Sequence, residues 1–200
     1  MKILVACEES QAVTNELRKL GHEAYSCDLV PCSGGHPEWH LQQDVTSLLN
    51  DKWDMIIAFP PCTYLTKAGS VRLFPKGVLN EERYKKGCAA RNFFMMFYNA
   101  DCPKIAIENP TPLKIFHLPE CSQIIQPYMF GHPFSKRTCL WLKGLPVLMA
   151  TDIRCDIEST VTAKWFNSGG KTRQAARSKT FPGIAKAMAV QWAGPVTRDS

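Results

Sequence analysis

The sequence predicts an α/β fold, a mostly parallel sheet flanked by helices, and three observations lead there. Short apolar runs of strand length, "KILVAC", "DMIIAF" and "KIAIEN", alternate with segments of helical apolar spacing. Each run stops abruptly at polar residues or proline. Glu8, Asp28, Cys62 and Glu108 sit at such stops, and open α/β sheets bind ligands beyond the carboxyl ends of their strands.

Residues 2–7 read as the first strand. In "ESQAVTNELRKLG", Val13, Leu17 and Leu20 recur at helical spacing and Gly21 supplies the stop. "HEAYSCDL" (22–29) reads as the second strand, and "VPCSGGHPEWH" as loop, since proline and glycine punctuate it. A short helix is predicted within 44–53 and the third strand at 54–59. Pro60 and Pro61 end that strand, because proline lacks an N–H and fixes its own φ. A long helix is predicted over 80–100, with Glu81 and Glu82 where the helix dipole favours acids. Three more strands are expected at 104–109, 123–130 and 138–144. Pro182 and Gly194 bracket a last helix.

Length and composition narrow the function classes. A chain of 200 residues fits one domain, 1–200, and 45% hydrophobic with 21% charged residues is ordinary for a globular protein. There is no run of eighteen apolar residues to span a membrane. Glu8 arrives too early for the apolar stretch of a signal peptide, so the expected location is the cytoplasm. Nine cysteines, an odd number, then read as buried small residues, metal ligands or catalytic thiols rather than disulfides. The net charge is +6, and from Ser159 to Arg198 there is no acid, while Lys164, Lys171, Arg173, Arg177, Lys179 and Lys186 accumulate. A phosphate-bearing partner and a solvated basic surface account for that equally well.

A stiff Pro-Pro loop at a strand's end is suited to aiming a nucleophile, and it presents Cys62. A thiol needs a local field or a base to react near neutrality, and most buried cysteines are merely structural. The second strand-end motif, "IAIENP" (105–110), offers Glu108 and Asn109. A carboxyl facing a thiol makes a pair of nucleophile and proton donor, provided burial raises the carboxyl pKa. Cys27, Cys32, His36 and His40 also fall within fourteen residues as possible zinc ligands. Their spacing is irregular, and no metal is assigned.

The order Pro60-Pro61-Cys62, then Glu108-Asn109-Pro110, resembles the cytosine-C5 DNA methyltransferase family. "VACEESQAVTNELRKLGHEAYSCDL" stands where that family has its first cofactor loop, helix and acidic second-strand end, "QQDV" its third cofactor motif, and "RSKTFPGIAKAMA" its final motif. The likeness is greatest to compact methyltransferase-like proteins of bacteriophages, which would put the protein in a host cytoplasm. It implies a Rossmann-like S-adenosylmethionine-dependent methyltransferase fold. Cys62 would attack C6 of cytosine, Glu108, followed by Asn109, would act on N3, and C5 would take the methyl group. Lys136 or Arg137 would replace the family's cytosine-polarising arginine. Cys7, Glu8, Glu9 and Ser10 stand in place of the family's glycine-rich loop. Asp28 would accept the cofactor's ribose hydroxyls and Asp44 its adenine amino group, Pro60 would pack near the sulfonium, and Ser178 and Thr180 belong to the final motif. The family's target-recognition domain is replaced by a short basic segment, 145–179. The implied partner is DNA or a cytosine nucleotide, with Lys136, Lys164, Lys171, Arg173 and Arg177 near phosphates and Trp165 and Phe166 available for stacking. The alternatives are C5 modification of a free nucleotide or with another one-carbon donor, and a non-catalytic protein that binds cofactor or nucleic acid and interferes with host methylation or defence.

Overall fold

The computed structural model describes residues 1–157 and 179–196. Lys164, Trp165, Phe166, Lys171, Arg173, Arg177 and Ser178 lie outside the described residues. Seven strands form one sheet: β1 (Lys2–Ala6), β2 (Glu23–Asp28), β3 (His40–Gln42), β4 (Met55–Ala58), β5 (Ile105–Pro110), β6 (Gln123–Ile125) and β7 (Thr138–Lys143). Their order is β3-β2-β1-β4-β5-β7-β6, and β7 alone runs against its neighbours. The fold is Rossmann-like, as the sequence predicts. The order reverses between β1 and β4, which sets a crevice beyond the carboxyl ends of those two central strands.

Alternation along the strands feeds two cores. Ile3, Val5, Met55, Ile57 and Ala106 face α1 (Ala12–Lys19) and the C-terminal helix. Leu4, Ala6, Ile56, Ala58, Ile105 and Ile107 face the long helix, whose Phe94 and Phe97 are fully buried. Sheets covered on both faces read as continuous apolar runs, which is why these strands were legible. The long helix, α3 (Glu81–Tyr98), begins where the Asn80 side chain accepts the Arg83 N–H at 2.9 Å. Before it lies the four-residue α2 (Ser70–Leu73), which the sequence reading missed. A satellite core of Leu65, Leu73 and Phe116 packs between the loop after β4 and α3. It depends on Gly87, since a Cβ there would stand 2.1 Å from the Phe116 ring.

Several elements differ from expectation. β3 arises at the end of a segment read as loop, and three residues are too few to show a period. The strand expected over 123–130 stops at Ile125, because Pro127 cannot donate to a ladder and instead opens a 3₁₀ turn, Pro127–Met129. The helix expected in 44–53 is only a 3₁₀ turn, Val45–Leu48. The last helix divides into α4 (Pro182–Met188) and a π turn, Ala189–Ala193. Among the described residues no helix is long and apolar enough to cross a membrane.

Candidate active site

Register places the two strand-end motifs side by side. Ala6, Ala58 and Ile107 are in line across β1, β4 and β5, so the residues after them emerge together. The Phe59 N–H donates to the Ala6 carbonyl at 2.9 Å, extending the ladder to the Pro-Pro-Cys loop. Asn109, fully buried, then donates its amide to the Pro60 carbonyl at 3.0 Å. Beyond Cys62 the two segments stay joined. The Leu113 N–H donates to the Leu65 carbonyl at 2.7 Å, and Thr66 bridges Pro112. Leu65 sinks into the satellite core, so the half-buried Cys62 is held from both ends.

Glu108 leaves β5 on the α4 side. It lines a crevice with Ile125, Lys136, Thr138, Thr180 and Phe181, closed at the back by Ile184 and Met188. Burial pushes its carboxyl pKa up, against the smaller opposing pulls of the Lys136 charge and a hydrogen bond with Thr138. The structure separates the two cations that the sequence left open. Leu140 pairs with Glu108, so Thr138 falls on the glutamate's face of β7, and Lys136, just ahead of that strand, lines the same crevice. Arg137 turns the other way, donating its Nε–H to Thr111 Oγ1 at 3.2 Å. The innermost space measures about 10 Å³, room for about one water. Cys62 is not among the residues lining that space.

At the first loop the fold solves an N-terminal capping problem. The buried Glu8 carboxylate accepts the Val13 N–H at 2.7 Å, the Thr14 hydroxyl at 2.7 Å and the Thr14 N–H at 3.3 Å. Desolvation outweighs those bonds and lifts its pKa to about 7. Both oxygens therefore face α1. Cys7 and Gln11 take left-handed backbone, φ 59° and 54°, where the resembled family has glycine-rich loop. Gln11 compensates from its fully buried position by bonding Ser26 Oγ and both backbone groups of His36. The loop that it holds comes so close that a Cβ on Gly34 would meet the Ser10 carbonyl at 2.5 Å.

Asp28 and Asp44 stand beside the Cys7 thiol, whose pKa is raised first by burial and then by the Asp28 charge. Asp28 uses Oδ1 to accept the Val30 N–H at 3.2 Å, and Asp44 uses Oδ1 to accept that of Thr46 at 2.9 Å. Asp44 also takes a hydrogen bond from the Thr46 side chain, and the Thr46 N–H and hydroxyl together hold its carboxyl below the usual range, whereas Asp28 keeps an oxygen that can accept hydroxyl protons of a nucleoside. Glu9 and Ser10 are half-buried at the same edge.

Cys27, His36 and His40 are engaged in local contacts. Cys27 is buried and donates to the Gln43 carbonyl, His36 stacks on Trp39, and His40 bonds Ser26 Oγ and the Val30 carbonyl. Among the described residues no group of three or more His, Cys, Asp or Glu is placed to hold a metal ion. Sequence reasoning missed Thr138 and Thr111, which only the β5–β7 pairing reveals.

No protein-family model matches the chain, and no curated protein matches it in sequence. Among the solved structures that it is similar to are three methyltransferases. One is a candidate DNA modification methyltransferase encoded within an E. coli prophage (14% identity, TM-score 0.44, covering 76% of this chain and 51% of that one). Another is the S. pombe Dnmt2 methyltransferase (12%, 0.44, 72% and 50%). The third is the Entamoeba histolytica methyltransferase EhMeth (13%, 0.47, 76% and 57%). The chain thus spans between 50% and 57% of the length of these proteins.

Proposed function

We propose that this protein transfers a methyl group to C5 of cytosine in DNA through a covalent bond from Cys62. One contact carries the reading: the Asn109 amide on the Pro60 carbonyl, which fastens the cysteine's loop to the strand that carries Glu108. Cys62, as thiolate, attacks C6 of the ring. Glu108, whose burial favours the protonated form, donates toward N3 and so makes C6 electrophilic, and the new Cys62–C6 bond pushes the ring's electron pair onto C5, which becomes the nucleophile. S-adenosylmethionine, when bound, supplies the methyl group. Asp28 and Asp44 would hold its nucleoside half, and Glu9 would face its methionine ammonium, because Glu8 is committed to α1. Pro60, buried and held through its carbonyl by Asn109, would pack near the sulfonium. Removal of the C5 proton by a base then expels Cys62. A cytosine must leave its stack to reach the crevice, and the crevice must widen from its present volume.

The test is a denaturing gel with oligonucleotides containing 5-fluorocytosine and added S-adenosylmethionine. Fluorine cannot leave as a proton does, so a protein–DNA adduct accumulates. Cys62→Ser should abolish the adduct and Glu108→Gln should slow it. Its rate should fall as pH rises through the raised pKa of Glu108. Running duplex, single strand and free nucleotide in parallel identifies the substrate. The absence of any adduct from all three would remove the reading.

A further inference from the structure

Next to the cysteine's loop, on its α3 side, is a second concavity that the chemistry above does not use. It holds about 210 Å³ and is lined by Tyr64, Arg72, Asn80, Glu82, Arg83 and Lys86. Three cations share it with one carboxylate, Glu82, which receives Lys86 Nζ at 2.6 Å. Arg83 forms its wall toward the loop. One guanidinium nitrogen donates to the Thr63 carbonyl at 3.0 Å, and the group lies 4.9 Å over the Tyr64 ring. A guanidinium has five N–H donors, so Arg83 can grip the loop and still offer donors to the cup. The surrounding chain adds to the field: residues 62–91 carry seven basic side chains against two acidic ones. A cup with clustered donors, little acid and an aromatic wall suits a phosphate joined to a sugar or base.

We propose that this cup binds a phosphate of the nucleotide strand whose base is presented to Cys62, with Arg72 and Lys86 as its charge contacts and Arg83 coupling it to the loop. The identity of the base rests on the function proposed above. The phosphate contact does not. Occupying the cup would press on Arg83, and through Thr63 and Tyr64 would position the segment that immediately follows the nucleophile.

The test is the binding of a fluorescent single-stranded oligonucleotide to the full chain, followed by anisotropy over a salt series. Arg72→Gln with Lys86→Gln should lose about one phosphate contact, reducing the salt slope by about 0.7 and the affinity about fivefold near 0.1 M salt. Both side chains are exposed, so the thermal midpoint should not move. Arg72→Gln alone, which leaves the Lys86–Glu82 pair intact, should give part of the effect. Lys85→Gln, exposed on the same helix but outside the cup, should leave the slope unchanged. If the paired variant binds as the parent does, or if Lys85→Gln weakens binding as much, the cup is not a phosphate site. Competition by cytidine monophosphate distinguishes the source. Loss of competition in the paired variant assigns the contact to the nucleotide's own phosphate, and unchanged competition assigns it to a neighbouring backbone phosphate. Adduct formation through Cys62 is scored separately. Cup-dependent binding without an adduct would overturn the proposed chemistry alone, and an adduct with cup-independent binding would overturn the cup alone.

Discussion

Replacing Glu8 by glutamine puts the competition between burial and hydrogen bonding to a measurement. The carboxylate receives three hydrogen bonds at the start of α1, and the helix dipole favours a negative charge there. Burial opposes the charge and wins, raising the pKa from 4.5 to about 7. A raised pKa means that the folded state holds the proton more tightly than the unfolded chain does. The associated stability is fully present below pH 4.5 and is lost as pH rises through about 7. At about 1.36 kcal/mol for each pH unit, the loss from pH 4.5 to pH 7 is about 3 kcal/mol. Glutamine fills the same space and does not titrate, but its amide hydrogens face the Thr14 donors, a fixed cost of about 1–3 kcal/mol. Urea unfolding of both proteins from pH 4.5 to pH 8 should therefore show the parent losing about 3 kcal/mol relative to the variant as pH rises, so that the curves meet or cross. Parallel curves would show that the Val13 and Thr14 donors keep Glu8 ionised throughout, and the assignment of burial as the dominant effect would fall.

Gly87→Ala should destabilise the protein although alanine favours helices. The propensity gain is about 1 kcal/mol, against about 1–3 kcal/mol for forcing a methyl group into the Phe116 ring, and a rise in the urea midpoint would contradict this. Asn109→Ala removes the tie to Pro60 together with a buried Oδ1 that has no partner among the described residues, so stability should change by less than about 1 kcal/mol. Trapping on 5-fluorocytosine should nonetheless slow by about tenfold or more, and an unchanged rate would show that the tie does not position Cys62. His132 Nε2 accepts the Gly183 N–H at 3.0 Å, and burial lowers the ring's pKa from 6.5. Stability should therefore be fully present above pH 6.5 and should fall as pH drops toward the folded-state pKa, with an NMR midpoint below 6.5 as the check.

Some of the site was legible before any contact was known. Pro60 and Pro61 end a strand wherever they occur, so Cys62 at a rigid strand end follows from composition alone. "IAIENP" reads the same way for Glu108. The role of Glu8 did not read, because a carboxylate four residues before a helix looks the same whether it turns inward to Val13 and Thr14 or outward to a ligand. The basic cup did not read either. Arg72, Arg83 and Lys86 lie on two helices whose approach depends on Leu73 and Phe116 packing between them.

The amino-acid order alone determined where strands run and stop, since apolar period, proline and glycine act over a few residues. It also set Lys136 and Arg137 next to each other just ahead of β7. Only the tertiary structure decided which of them meets Glu108, because that depends on β7 entering antiparallel beside β5 with Leu140 opposite the glutamate. The same holds for the bond from Asn109 to Pro60, 49 residues away along the chain. Local stiffness is written in neighbouring residues, whereas the choice of partner is made by the whole core when it closes.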